Sequence, residues 1–265
     1  MKRLACFLTL TLLAAPAGLF AQNSDQPAPP QTRAEKGESP APFSRLALSG
    51  GVGVNGINMQ VAVEANRYFN IRGTGNYFTY SLTKTVNGTN DTGTLNFATG
   101  GVSVDFYPFP NHGWRLSPGA LFYNQNAITA TVNVAGGDSF TMNSTKFYSS
   151  TASPVVGNGG IFLNKTNPAF TMTTGWGNLI SRRGGHFSVP FEIGAAFVGQ
   201  PTVKLNFVNG IVCTDQAQTN CASVNSFPQF TSDVNAQIAI YNNDLDVLKV
   251  YPIMSIGIGY NFKLH

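Results

Sequence analysis

His186, Ser188 and Glu192 fall at even spacings in one stretch of chain, and between them they hold the residue types of a hydrolytic triad. If the stretch is a strand, all three lie on one face. Residues strung along one strand do not readily converge on one reacting atom, so a polar row explains them better. Gly51-x-Gly53-x-x-Gly56 matches a dinucleotide fingerprint. That fingerprint needs a helix after its last glycine to receive the pyrophosphate. Here Asn55-Gly56 is a hairpin signal and another alternating segment follows, so the glycines read as turn residues. The third constellation is electrostatic and sets Glu64, Asp105 and Glu192 against Arg72 and Arg115. Each occupies the parity opposite to the apolar row of its own segment. In a closed barrel these five would share the interior, where an unpaired charge is costly, and a salt-bridge network that fills the lumen is expected.

Eight alternating segments must position these groups. They run over residues 44–54, 57–65, 69–80, 94–107, 114–124, 169–179, 187–198 and 253–264, with a bulge expected at Gly100-Gly101. Trp114 and Phe122 share a face eight residues apart, roughly 27 Å along a strand, and Phe187 and Phe197 do so at roughly 33 Å. At a strand tilt of about 40° both project to roughly 20–25 Å, the height of the apolar band between the aromatic girdles of a membrane barrel. The links alternate in length. Those around Asn66-Arg67, 108–112 and 181–185 are short, whereas 81–93, 125–168 and 199–248 are long. Only the Asn55-Gly56 link breaks the pattern of short inner turns and long outer loops. In the last long loop Val203, Leu205 and Phe207 alternate. Val234, Ile238, Tyr241, Leu245 and Leu248 then recur at helical spacing, with Thr231 or Ser232 available as a cap. An amphipathic helix packed on the barrel rim is expected there.

Residues 1–21 read as a secretory signal: Lys2 and Arg3, an apolar run from Leu4 to Leu13, and a small residue at Ala21. Residues 22–42 are rich in Pro, Ala, Glu and Gln and read as a disordered lead-in, which leaves 43–265 as the barrel. Two of the 16 Lys and Arg lie in the leader, so 14 face 12 acids and the mature charge is +2. That is too weak and too scattered for a nucleic-acid partner. Charged residues make up 11% of the chain against about a quarter in soluble domains, and this favours a membrane barrel over a soluble enzyme. In an exported chain Cys213 and Cys221 read as a disulfide. No His or further Cys lies near them to suggest a metal, and no cofactor is implied.

The last segment is similar to the C-terminal β-signal of bacterial outer-membrane barrels, polar-x-Gly-x-x-apolar-x-apolar. Ser255, Gly257, Tyr260 and Phe262 fill its slots, and Lys263, Leu264 and His265 run on beyond the usual aromatic end. The stretches NRYFNIR, YPFPNHGWRLSPGALFYNQN, NPAFTMTTGWGN, RRGGH and NNDLDVLKVYP resemble an uncharacterised family of bacterial outer-membrane β-barrel proteins. The likeness covers most of Leu46 to Phe262, and the architecture is similar to small barrels of the outer-membrane protein A kind. It implies outer-membrane lipid and the barrel-assembly machinery as partners, and it implies no reaction. The reading is an all-β, eight-stranded antiparallel transmembrane barrel with long outer loops, one loop helix and no catalysis. Its role is structural or surface-interacting. The rivals are a narrow channel or carrier for a small, apolar solute and a barrel-embedded lipid hydrolase.

Overall fold

The structure is a computed structural model, and it describes residues 42–86, 89–163, 166–181 and 185–264. The leader and all of the lead-in except Pro42 lie outside these residues. Eight strands close into a ring: β1 (Arg45–Gly53), β2 (Gly56–Glu64), β3 (Phe69–Val86), β4 (Thr89–Phe106), β5 (Arg115–Asn124), β10 (Ala169–Trp176), β12 (Phe191–Phe197) and β16 (Val250–Lys263). Every pairing is antiparallel, and β1 meets β16 from Arg45↔Lys263 to Gly53↔Ser255, so the chain's first and last strands seal the ring. A short strand β11 (Phe187–Ser188) continues the β12 wall along β16. Val189-Pro190 separates the two pieces, because proline has no N–H to give the ladder. The seventh segment expected from the sequence is therefore two strands.

The other strands build an outer domain. They are β6 (Ala127–Val134), β7 (Ser139–Met142), β8 (Thr145–Ser149), β9 (Val155–Phe162), β13 (Thr202–Asn209), β14 (Ile211–Cys213) and β15 (Cys221–Ser223). The junction is β4. Its residues 99–106 pair with β5, whereas Thr92–Asn96 pair with β6, and the sheet then continues through β9 to β13. The ladder to β5 shifts register between Gly100 and Gly101, where the sequence places a bulge. Asn126 spans the fork: its side-chain oxygen accepts from the Ala98 N–H at 3.0 Å, and its own N–H donates to Asn124 at 3.1 Å.

Two expected loops are thus sheet. Residues 81–93 continue the β3–β4 hairpin, and 125–168 hold four strands. The reason lies in a reversal of polarity. Up to Tyr77 the outward row of β3 is apolar (Phe69, Ile71, Tyr77) and the inward row polar (Asn70, Arg72, Thr74, Asn76). Beyond it the outward row is Thr79, Ser81, Thr83 and Thr85, and the opposite row is Phe78, Tyr80 and Leu82. β4 changes in step, with Asn96, Thr94, Thr92 and Asn90 facing outward. A Thr-rich row with the apolar residues on the wrong parity looks like solvated loop when only one face is being followed.

Residues 228–244 form the helix α1 (Pro228–Asp244), followed by a 3-10 turn over Leu245–Lys249 that takes Leu245 and Leu248 out of the expected periodic helix. The start is earlier than the sequence suggested. Phe227 is the N-cap without a side-chain bond, and Pro228 occupies the first turn, where a missing N–H costs nothing. Thr231 is no cap; its hydroxyl donates back to the Phe227 carbonyl at 3.2 Å. The helix buries Phe230 and Val234 against Phe147, Val155, Val212 and Val224, with the Phe207 ring edge-on to Phe230 at 4.8 Å. Asn242 ties the helix to β13 by accepting from the Val203 N–H at 2.8 Å. Cys213 and Cys221 are bonded and join β14 to β15.

Candidate functional site

The lumen holds the chemistry. Inward parity on β3, β4, β5 and, across β10, β12 brings Arg72 (β3), Asp105 (β4), Arg115 (β5) and Glu192 (β12) into one layer, and none is more than 6% exposed. Arg72 Nε donates to both Asp105 oxygens at 3.0 and 3.1 Å, and its Nη1 donates to Glu192 Oε2 at 2.6 Å. Arg115 Nη2 reaches the same Glu192 oxygen at 3.0 Å, and its Nη1 donates to the Gly177 carbonyl at 2.8 Å. Ser117 donates to Asp105 at 2.7 Å. Two guanidinium and two carboxylate groups cancel. The layer is neutral and its members bridge from wall to wall. Gly175 makes room for it, since a Cβ there would stand 3.0 Å from the Arg115 guanidinium carbon and 2.4 Å from the Phe191 carbonyl.

Glu64 corrects the sequence reading. It points inward and is fully buried, but its partner is Arg45 at 3.0 Å rather than Arg72 or Arg115. Glu64 sits at the inner end of β2, one strand from Arg45, so the nearer cation captures it. A second closure lies at that same end. The expected sixth segment stops as a strand at Trp176, and the following residues fold back so that Leu179 and Ile180 are fully buried against Ala47 and Ala62. Arg45 Nη1 donates to the Ser181 carbonyl at 2.6 Å and fixes this turn. On the outer side of the ion layer a cavity of about 40 Å³ remains, lined in part by Asn58, Asn76, Thr99 and Ser255 together with Leu121 and Ile253. At ~10–15 Å³ per water centre it has room for only a few waters.

The hydrolytic residue types do not assemble. Glu192 is engaged with both arginines, His186 Nδ1 lies 3.2 Å from the Asn261 carbonyl, and Ser188 precedes the Val189-Pro190 break. The buried Ser188 oxygen has no hydrogen-bond partner among the described residues. Gly51, Gly53 and Gly56 lie in or beside the β1–β2 hairpin, with strand and no helix after them. No group of three or more His, Cys, Asp or Glu able to hold a metal occurs among the described residues. In β16 the expected signal residues take alternate sides: Ser255 is buried toward the lumen, while Tyr260 and Phe262 are exposed outward, 4.8 Å apart at their ring centres.

Sequence reasoning puts Arg45 on the inward parity but leaves it out of the network, and it missed Ser117, the Gly177 carbonyl and the Leu179-Ile180 turn. Ser117 was within reach, because it is two residues from Arg115 on the same inward parity. A main-chain acceptor and an inward-folding turn leave no such periodic trace.

No protein-family model matches the chain, and no curated protein does. Among solved structures, the crystal structure of Acinetobacter baumannii CarO is similar with a TM-score of 0.50 and 24% identity, covering 84% of this chain and 98% of that one. Acinetobacter baumannii CarO2 gives a TM-score of 0.51 at 19% identity, covering 82% and 98%. Ring closure, the inward ion layer and these likenesses together show the fold, which is that of an eight-stranded bacterial outer-membrane β-barrel.

Proposed function

We propose that this protein is a non-catalytic outer-membrane barrel with a sealed lumen, whose role is to present its outer domain at the surface. The observation that carries this reading is the double closure. A neutral, wall-to-wall ion layer lies across the lumen, and an apolar plug of Leu179 and Ile180 lies at its inner end. Outward rows of Leu48, Val52, Val61, Ile71, Val104, Ile193, Ile256 and Ile258 are exposed, which suits a wall in lipid. In this role the C-terminal Ser255, Gly257, Tyr260 and Phe262 serve as the handle for the barrel-assembly machinery, and the leader directs export.

The test is conductance in a planar bilayer. The folded wild type is expected to pass little current, and Arg115→Ala to pass more as water takes the place of the guanidinium. Large, steady single-channel currents from the wild type would favour the channel reading instead. Hydrolysis of outer-leaflet lipid that Ser188→Ala abolishes would favour the enzyme.

A further inference from the structure

The outward face of the five-stranded extension has a composition that the barrel wall below it lacks. Register aligns Thr94 (β4), Thr129 (β6), Gly160 (β9) and Lys204 (β13) in one row, and Thr92, Thr131, Asn158 and Asn206 in the next. The face continues the lipid-facing side of β3 and β4 directly, beginning one row beyond Tyr77 and Ala98, where the apolar residues stop. In a barrel seated in the outer leaflet that is the layer of headgroups.

Four features distinguish this face from ordinary solvated sheet. A groove of about 370 Å³ runs over Gly160, lined by Thr129, Thr131, Asn158, Phe162, Lys204 and Asn206 among others. The Phe162 ring lies over Gly160, where a Cβ would stand 2.8 Å from it, so the glycine lets the ring lie flat along the groove. Phe162 thus offers an aromatic ring on an otherwise polar face, with the Lys204 ammonium 5.3 Å from its centre. The outward positions of these strands carry no carboxylate among the described residues, so the ammonium is not neutralised from within the face. Hydroxyls and amides are already set by cross-strand bonds, Thr83 to Thr92 and Thr131 to Asn158 at 2.9 and 3.0 Å.

We infer that this groove binds the headgroup of an outer-leaflet glycolipid, a phosphorylated sugar, with Phe162 under the sugar's C–H face, Lys204 on phosphate and Thr129, Thr131 and Asn158 on hydroxyls. The inference rests on the outer-membrane reading. Pre-set hydroxyls and amides suit a ligand rich in hydroxyls, and a lysine suits phosphate as a point charge. The neighbouring lipid wall makes a membrane-anchored source fit better than a free polysaccharide.

The full chain, folded in mixed micelles, is titrated with a bisphosphorylated rough lipopolysaccharide and, separately, with phosphatidylglycerol, and retained lipid is counted by native mass spectrometry. The wild type is expected to prefer the glycolipid. Lys204→Ala should weaken that binding about tenfold, as loss of one charge-assisted contact implies, and Lys204→Arg should restore it. Gly160→Val should weaken it as well by displacing the Phe162 ring, with heat-modifiability on gels as the check on folding. Equal retention of both lipids by a properly folded barrel, or a Lys204→Ala variant that binds as its parent does, overturns the inference and leaves the outer-membrane reading standing. Displacement of the glycolipid by its delipidated sugar at equal affinity also overturns it, in favour of a soluble glycan. A chain that folds as a soluble monomer without detergent removes the outer-membrane reading itself.

Discussion

Along β3 and β4 the same two strands serve two solvents. From Phe69 to Tyr77 the side facing outward is apolar, and the side facing in carries Arg72 and, across the ladder, Asp105. From Phe78 to Thr85 the outward side is hydroxyl-rich, and the apolar residues have moved to the opposite parity. The lower segment keeps its polar core in order by charge pairing. The outer domain that the upper segment joins is held by an aromatic core of Phe140, Phe147, Phe207 and Phe230. The switched row itself, Phe78, Tyr80 and Leu82, stays exposed and takes no part in that core. Substitutions can ask whether the two cores stand or fall independently.

The largest effect is expected in the lumen. Arg115→Ala leaves Glu192 with one arginine instead of two and opens space beside Gly175. Breaking such a buried set typically costs ~3–5 kcal/mol. The urea midpoint of the folded barrel in detergent should fall, and the gel transition to the unfolded band should move to lower temperature. An unchanged midpoint would mean that the ion layer contributes nothing to stability.

Phe230→Ala attacks the other core and should cost about 3 kcal/mol locally. The barrel should still run as a folded, heat-modifiable band, while protease cuts rise between β6 and α1. If instead the whole barrel fails to fold, the two cores are one cooperative unit. Cys213→Ser is the milder test of the same region. The bond closes a loop with a sequence separation of 8, worth ~2.5 kcal/mol on the chain-entropy estimate. Barrel assembly should survive it, and alkylation of the untreated exported protein should find no free thiol.

Within that loop Asp215 accepts from the Thr219 and Asn220 N–H groups at 2.9 Å and from the Thr219 hydroxyl at 3.0 Å. The backbone N–H of Thr219, then that of Asn220, hold its carboxyl below the usual carboxylate range. The ordering this gives is complete above the normal aspartate pKa and is lost as pH falls through the lowered value. Carboxylate chemical shifts should therefore titrate late, and Asp215→Asn should remove the acid-side change in loop mobility. The smallest effect belongs to Lys84→Ala on the exposed hairpin, within about ±0.5 kcal/mol.

The barrel was legible because one lipid-facing row persists through every membrane segment. Strand limits such as Phe69, Asn124 and Ala169 can be read from alternation and turn residues alone. The inward placement of Arg72, Asp105, Arg115 and Glu192 follows from parity, but their grouping does not, because parity says nothing about height across the ring. Glu64 shows this: it has the right face and the wrong level. The outer domain was hidden because β7 and β8 are short and β9 is glycine-rich, and their apolar residues meet partners far along the chain, such as Phe230 on α1. The helix was visible from its 3.6 period, yet its true anchor was Phe230, one turn before Val234.

The hairpin of β3 and β4 pairs without interruption from Phe69↔Phe106 to Val86↔Thr89, and so runs from the membrane wall into the outer domain. From Phe78 to Thr85 it rises by roughly 24 Å of strand beyond that wall. No linker separates the two parts along this path. A tug on the outer domain along the strands would load many backbone bonds together in shear instead of peeling them one at a time. The extension is built as a fixed mast whose tension passes straight into the wall.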